Sequence, residues 1–186
     1  MAQLTKKAIL TSFTKLIEER SFDKIKVRDI VEDCGITRNA FYYHFQDMYA
    51  VVDELLAIET KRIISRASED KNPEKSLFSA AGVAIWNKRA LYHIYNSSRR
   101  DDVLRYFRNA VYTVMEYYVN KIAGDSPVSG QVRELTASFC ADAIYGAVLR
   151  WLDNPRGSDI DETLAQMDEL FGNSVKDVLQ KGRAGP

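Results

Sequence analysis

The stretch from residue 38 to residue 44 carries a high density of hydrogen-bonding and aromatic side chains. Arg38 can donate to the O6 and N7 acceptors of guanine, and Asn39 can bond the N6 and N7 edge of adenine, each pair giving about 1–3 kcal/mol of discrimination. Ala40 is small enough to admit a thymine methyl group. Aromatic side chains complete the stretch: Tyr42, Tyr43 and His44. One short helix cannot bury all of these side chains, so the exposed ones need a partner.

Two short helical patterns joined at a glycine would position these residues. The apolar residues of the first pattern recur at i, i+3, i+4 and i+7: Val27, Ile30, Val31 and Cys34. Gly35 can adopt the left-handed conformation that ends a helix, so we expect a tight corner there. Thr37 is the expected N-cap of the second helix, and Phe41 and Phe45 can face inward. The spacing therefore predicts a helix-turn-helix over residues 26–45.

This stretch resembles the DNA-binding region of the TetR family of transcriptional regulators, which ends in a helix of the form T-x-x-x-F/L-Y-x-H-F. The matching residues are Thr37, Phe41, Tyr42, His44 and Phe45, preceded by Val27-Arg28-Asp29-Ile30 and Cys34-Gly35-Ile36. The resemblance covers roughly the first quarter of the chain. Residues 22–47 are most similar to a subgroup that resembles the activators of dihydroxyacetone kinase operons.

The resemblance implies roles for the residues at matching positions. The base-facing residues would be Arg28, Thr37, Arg38, Asn39, Ala40 and Tyr43, and the phosphate contacts Tyr42 and His44. Lys26 stands where relatives often have a threonine that caps the helix and contacts phosphate, so we expect it to keep the contact and lose the cap. Relatives commonly carry K-x-K after the aromatic cluster, where this chain has Gln46-Asp47-Met48. We expect fewer phosphate contacts there, and a salt slope shallower by about 0.9 per lost contact.

Charge and cysteine content constrain the class of protein only weakly. The chain has 26 Lys and Arg against 26 Asp and Glu, so its net charge gives no indication of nucleic-acid binding. Residues 1–50 carry eight basic and seven acidic residues, a net of +1. Cys34 and Cys140 lie in apolar helical patterns, and no leading apolar run resembles a signal peptide, which favours a reducing cytoplasm. No stretch approaches the roughly 20 apolar residues of a membrane span.

Periodicity predicts an all-α fold. The resemblance to TetR implies an N-terminal three-helix, helix-turn-helix DNA-binding head over 1–47 and a C-terminal helical bundle over 48–186 for ligand binding and dimerisation. The head would begin with an amphipathic helix over 5–20. Further helices are expected over 46–68, 74–87, 88–96, 103–123 and 131–152, and a final helix follows. Residues 97–102 are predicted to be a polar connection.

The last two predicted helices carry apolar faces that need a partner. The first mixes large and small residues, which permits close helix approach: Leu135, Phe139, Ala143, Gly146 and Ala147. The second presents one apolar row: Leu164, Met167, Phe171, Val175 and Val178. Both helices could simply complete a core. The resemblance to TetR implies instead that they pair with a second subunit, which predicts a homodimer on a palindromic DNA operator.

The middle of the chain is rich in aromatic residues that could line a ligand pocket. The candidates are Trp86, Tyr92, His93, Tyr95, Phe107, Tyr112, Met115, Tyr118 and Phe139. Large rings can fill a core, or they can leave room between helices while tyrosine hydroxyls supply polar groups. The resemblance implies a repressor modulated by an unknown small-molecule effector. The alternative is an activator controlled by a protein partner such as a dihydroxyacetone kinase subunit.

Residues suited to catalysis are sparse. The chain has two histidines, His44 and His93, and no nearby grouping of Cys, His and carboxylates suggests a triad or a metal site. Glycine-rich phosphate loops are also missing from the sequence. We therefore expect no enzyme activity, no metal and no cofactor.

Overall fold

The computed structural model describes residues 2–83, 87–98 and 100–182. Within these ranges the chain forms nine α-helices and no strand, which confirms the predicted all-α fold. The helices are α1 (Ala2–Glu19), α2 (Val27–Cys34), α3 (Arg38–His44), α4 (Met48–Glu69), α5 (Leu77–Val83), α6 (Lys88–Tyr95), α7 (Arg100–Ala123), α8 (Gly130–Asp153) and α9 (Ile160–Lys181). None of the helices in the described ranges carries an apolar stretch long enough to cross a membrane.

Three helix starts lie three residues from the predicted ones, and the first of these is α1, which begins at Ala2. Helix α7 begins at Arg100, inside the predicted polar connection, because Asp101 and Asp102 suit the first turn of a helix, where the macrodipole favours negative charge. The helix expected from residue 74 instead starts with a 3-10 turn over Pro73–Lys75, and α5 begins only at Leu77.

Contacts divide the chain into two compact units. The first comprises residues 1–58 and 87–106, and its core contains buried residues from α1 to α4. Ala90, Ile94 and Val103 belong to the same core, so α6 and the start of α7 pack with the helix-turn-helix. Polar contacts add to this packing: His93 Nδ1 lies 2.8 Å from the Ile17 carbonyl oxygen. The functional boundary between residues 47 and 48 stays a prediction.

The second unit comprises residues 59–86 and 107–186, and α9 packs on both α5 and α8. Gly172 permits the close approach of the 3-10 turn to α9, because a Cβ atom there would lie 2.0 Å from the Glu74 carbonyl oxygen. The buried carboxylate of Asp168 accepts hydrogen bonds from the backbone N–H groups of Phe78 at 2.6 Å and Ser79 at 2.8 Å. Asp168 on α9 therefore caps the start of α5.

Candidate nucleic-acid interface

The corner between α2 and α3 is built by Gly35. Its φ of 66° and ψ of 33° lie in the left-handed region, as the sequence predicts. The Gly35 N–H donates to the Glu32 carbonyl at 3.3 Å, and the Ile36 N–H donates to the Val31 carbonyl at 3.0 Å. These two bonds satisfy carbonyl groups that the end of α2 would leave unpaired, which makes the corner tight and well defined.

Helix α3 begins with a side-chain cap and buries one face. The Thr37 hydroxyl oxygen accepts a hydrogen bond from the Ala40 N–H at 3.2 Å, which confirms the predicted N-cap. Phe41 and Phe45 are buried, with ring centroids 6.0 Å apart. Because these two rings hold α3 on the core, its opposite face must point away from the core.

The outward face of α3 carries the predicted base-contacting residues. Arg38 and Asn39 are exposed in its first turn. Tyr42 is 54% exposed and Tyr43 79% exposed, which is unusual for such large rings. His44 is half-buried, and its ring lies edge-on to Tyr43 at 5.0 Å. This face combines hydrogen-bond donors and acceptors with aromatic rings that no described part of the chain covers.

The start of α2 is capped by Asp29 instead of Lys26. The Lys26 N–H donates to Asp29 Oδ2 at 2.9 Å, and Asp29 also lies 3.7 Å from the Arg20 guanidinium. A lysine ammonium has no acceptor, so the Lys26 side chain cannot bond a backbone N–H in return. The expected loss of the side-chain cap is therefore seen. The exposed Lys26 ammonium remains available to an anion.

Several basic side chains of the first unit are paired with nearby carboxylates. Arg28 Nε lies 3.3 Å from Glu32 Oε1, one turn later on α2, and both side chains are exposed. Lys15 Nζ lies 2.7 Å from Asp33 Oδ1, and this hydrogen bond lowers the pKa of the Asp33 carboxyl. A nucleic acid that engages Arg28 must therefore compete with Glu32.

Both cysteines are free thiols. Cys34 is half-buried at the end of α2, and burial raises the pKa of its thiol. Burial also raises the pKa of Cys140 to about 12. Because the thiolate is the reactive form, neither residue is set up as a nucleophile at neutral pH. In the described ranges, no group of three or more His, Cys, Asp or Glu side chains could hold a metal ion.

The predicted ligand-pocket residues are divided between the two units. The first unit contains Tyr92, His93 and Tyr95, and the second contains Phe107, Tyr112, Met115, Tyr118 and Phe139. Phe107, Met115 and Tyr118 are buried core residues of α7. Tyr92 and Phe139 are exposed. Trp86 lies outside the described residues.

A small cavity in the second unit lies near the end of α7 and is lined by residues that were not predicted. Its volume is about 100 Å³, below the roughly 300–1,000 Å³ of typical ligand pockets. The lining residues are Ile122, Ala123, Ser126, Val128, Lys176, Leu179 and Gln180. A cavity of this size can hold water molecules and is too small for a typical metabolite.

The predicted dimer residues separate into exposed and buried sets. Exposed apolar side chains are Leu135 and Phe139 on α8 and Phe171 and Val178 on α9. Ala143, Gly146 and Met167 are half-buried. Ala147, Leu164 and Val175 are buried within their own chain. Packing inside the second unit leaves these last three little exposed surface, and the dimer interface as a whole stays a prediction.

The buried face of α9 is rotated from the predicted one. Its buried residues include Leu164, Asp168, Gly172 and Val175. That face contains a polar residue, Asp168, and a glycine, Gly172, so a pattern made of apolar residues alone does not identify it. Leu170, which the sequence prediction missed, is exposed together with Phe171 and Val178.

Two family models match the sequence. The model described as "Bacterial regulatory proteins, tetR family" matches residues 9–55, which contain the helix-turn-helix. The model described as "Transcriptional regulator C-terminal region" matches residues 71–173, more than half of the chain. No curated protein sequence matches this chain.

Solved structures share the fold over nearly the whole chain. The dihydroxyacetone kinase operon activator DhaS is 16% identical, with a TM-score of 0.68 and coverage of 97% of this chain and 98% of that one. A putative TetR-family regulator from Syntrophomonas wolfei is 18% identical, with a TM-score of 0.66 and coverage of 95% and 97%. NalD, named as the secondary repressor of the MexAB-OprM efflux pump in Pseudomonas aeruginosa, is 18% identical, with a TM-score of 0.55 and coverage of 98% and 97%. At these identities the likeness shows the fold alone.

Proposed function

The chain belongs to the TetR family of bacterial transcriptional regulators, and from that membership we propose that it is a repressor that binds a palindromic operator as a homodimer. The observation that carries this proposal is the outward face of α3, where exposed Arg38, Asn39 and Tyr43 stand over the buried rings of Phe41 and Phe45. Such a face has no role in the core of its own unit. It has the size and the chemistry that a recognition helix needs in the major groove.

The proposed reading of DNA divides the exposed residues by role. Arg38 and Asn39 lie in the first turn of α3, the part of a recognition helix that reaches base edges. Tyr42, His44 and Lys26 would donate to phosphates on either side and so set the register of the helix. Arg28 would join them after leaving Glu32. The division predicts that specificity depends on the first turn and affinity on the surrounding donors.

The proposed homodimer forms through the outer faces of α8 and α9. Four exposed apolar side chains of these helices support it, Leu135 and Phe139 from α8 and Leu170 and Phe171 from α9. Monomeric proteins rarely leave such apolar surface exposed in one region. A two-fold dimer would require a near-palindromic operator, with half-sites about 34–36 Å apart or a multiple of that distance.

The proposed effector control rests on family membership and on the aromatic content of α7. Tyr112 is half-buried beside the buried Met115, which could give an effector an apolar wall with a hydroxyl nearby. An effector acts on DNA affinity only if it binds one conformation more tightly than another. Helix α4 (Met48–Glu69) contributes to both units as one continuous helix, and is therefore the proposed route of coupling.

The direct test is selection of duplexes from a random-sequence library by the purified protein. The expected result is an enriched near-palindrome, bound by two copies of the chain in a light-scattering measurement of the complex. Enrichment of an asymmetric site, bound by a single copy, would contradict the homodimer. No enrichment beyond general DNA binding would contradict the proposal that this chain recognises a specific operator.

An activator controlled by a protein is the second candidate. The observation that favours it is the fold shared with DhaS, which is named as an activator of a dihydroxyacetone kinase operon. Native mass spectrometry of the purified protein separates the two candidates, since a co-purifying small molecule supports the repressor. An empty dimer that gains the mass of an added dihydroxyacetone kinase subunit supports the activator, and a reporter gene behind the selected operator gives the sign of regulation.

A further inference from the structure

We propose that Lys6 supplies a DNA phosphate contact beside the end of the recognition helix, and that Glu54 holds the Lys6 ammonium there in the free protein. The inference rests on the proposed DNA binding by α3 and adds a residue from α1 that has no place in the helix-turn-helix motif. Glu54 then acts as a competitor that the DNA backbone must displace.

The geometry brings three elements together around the Lys6 ammonium. Lys6 Nζ lies 2.7 Å from Glu54 Oε1, a residue of α4. The same nitrogen lies 5.7 Å from the centroid of the Phe45 ring, at the C-terminal end of α3. The Lys6 side chain is 36% exposed and that of Glu54 is 35% exposed, so an anion can reach the pair from solvent. The ammonium therefore lies at the C-terminal end of α3, over a ring on the core-facing side of that helix, and remains accessible to solvent.

The chain following α3 lacks a cation of its own. Residues 45–58 contain no Lys and no Arg. Asp47 occupies the start of α4 for a structural reason, since its Oδ1 accepts a hydrogen bond from the Ala50 N–H at 2.9 Å. Lys6 precedes Phe45 by 39 residues in the sequence, yet the fold places it at the end of α3. The nearest charged residue in the local sequence there is an anion, Asp47. A lysine at such a place can take a phosphate as a point charge.

Transfer of the Lys6 ammonium from Glu54 to a DNA phosphate has a low free-energy cost. An exposed lysine–carboxylate pair changes an equilibrium constant by no more than about fivefold. Binding of Lys6 to the DNA backbone releases a condensed counterion, a gain that the ion pair with Glu54 does not supply. Glu54 therefore positions Lys6 without preventing its transfer to DNA.

The test compares four single substitutions by titration of a mixed-sequence duplex and of the selected operator at several salt concentrations. Lys6→Gln should lower the magnitude of the salt slope by about 0.9 for each bound copy of the chain and weaken binding to both duplexes, with their ratio unchanged. Glu54→Gln should leave binding equal to wild type or tighten it, by up to about fivefold. The matched controls are Lys7→Gln and Asp53→Asn, which make the same charge changes at the neighbouring exposed positions.

The paired design distinguishes a phosphate contact from a structural ion pair. Both Lys6→Gln and Glu54→Gln remove the ion pair, so a purely structural role predicts that both weaken DNA binding. Weaker binding by Lys6→Gln together with equal or tighter binding by Glu54→Gln, with similar thermal midpoints, supports the proposal. A salt slope for Lys6→Gln equal to that of Lys7→Gln, or weakened binding by Glu54→Gln, overturns it. Failure of the wild-type protein to bind either duplex would instead count against the proposed function.

Discussion

Arg38 and Asn39 have different chemistry from the residues around them. Substitutions should therefore separate recognition of base edges from binding to phosphates. Arg38→Ala removes two donors to a guanine edge and Asn39→Ala removes one donor and one acceptor to an adenine edge, so each should cost about 1–3 kcal/mol of discrimination between operator and mixed-sequence DNA. Both side chains are exposed, so folding and dimerisation should be unchanged. A mobility-shift titration with the two duplexes measures the ratio of affinities.

Tyr42→Phe is the matched control for that experiment, because it removes one hydroxyl from the same exposed face. It should weaken binding to both duplexes alike and leave their ratio unchanged, as expected for a phosphate contact. An unchanged ratio for Arg38→Ala and Asn39→Ala would exclude them as base readers. A changed ratio for Tyr42→Phe would move this tyrosine from the phosphate contacts to the base readers.

Thr37 has a structural role that can be measured apart from DNA binding. Thr37→Ala removes the oxygen that accepts from the Ala40 N–H, which should lower the free energy of unfolding by about 0.5–2 kcal/mol. Thr37→Ser keeps the oxygen and should retain most of that stability. Chemical denaturation in the absence of DNA gives both values, and equal stability of the Ala and Ser variants would show that the cap contributes little.

At the scale of helices, local sequence patterns predicted the features that depend on residues close together in the sequence. The corner at Gly35 and the cap at Thr37 involve contacts within a few residues, so the sequence alone was sufficient to place α2 and α3. The inward face of α9 depends instead on residues about 90 positions away, since Asp168 bonds Phe78 and Ser79. No apolar pattern reports such a contact. The same limit hid the position of Lys6 beside Phe45.

Asp168 connects two helices, and its removal should affect the second unit as a whole. Asp168→Ala leaves the buried N–H of Phe78 and the N–H of Ser79 without their acceptor, at a cost of about 1–3 kcal/mol per unsatisfied buried group. The control is Glu169→Ala, which removes a carboxylate from the next, exposed position of α9. Urea denaturation should show a clear loss only for Asp168→Ala. Equal stability of both variants would mean that water replaces the cap.

At the scale of the whole molecule, near-zero net charge makes a single DNA-binding unit weak. Residues 1–50 have a net charge of +1, and some of their basic side chains are already paired within the chain. Nonspecific attraction to DNA grows with the number of phosphates neutralised, so one copy has little of it. Two copies on adjacent half-sites add their contacts, which raises affinity without raising the charge of either copy. Operator binding should therefore depend on dimerisation.

Phe139 tests that dependence, because it is one of the two most exposed apolar residues on α8 and packs with little of its own chain. Phe139→Asp would place a charge in the proposed interface, where burial without a partner is strongly unfavourable, so the variant should be monomeric. Leu4→Asp makes the same kind of change at an exposed residue of α1 and should stay dimeric. Light scattering gives the mass of each variant, and circular dichroism checks its helix content.

The monomeric variant should then lose operator affinity while its salt slope falls to about half of the wild-type value, since the slope counts phosphate contacts. The salt slope separates loss of the partner copy from damage to α3. Damage to α3 would change the discrimination between operator and mixed-sequence DNA instead of the number of phosphate contacts. A Phe139→Asp variant that remains dimeric would exclude the face of α8 as the interface. One that is monomeric but binds the operator as tightly as wild type would show that a single copy is sufficient.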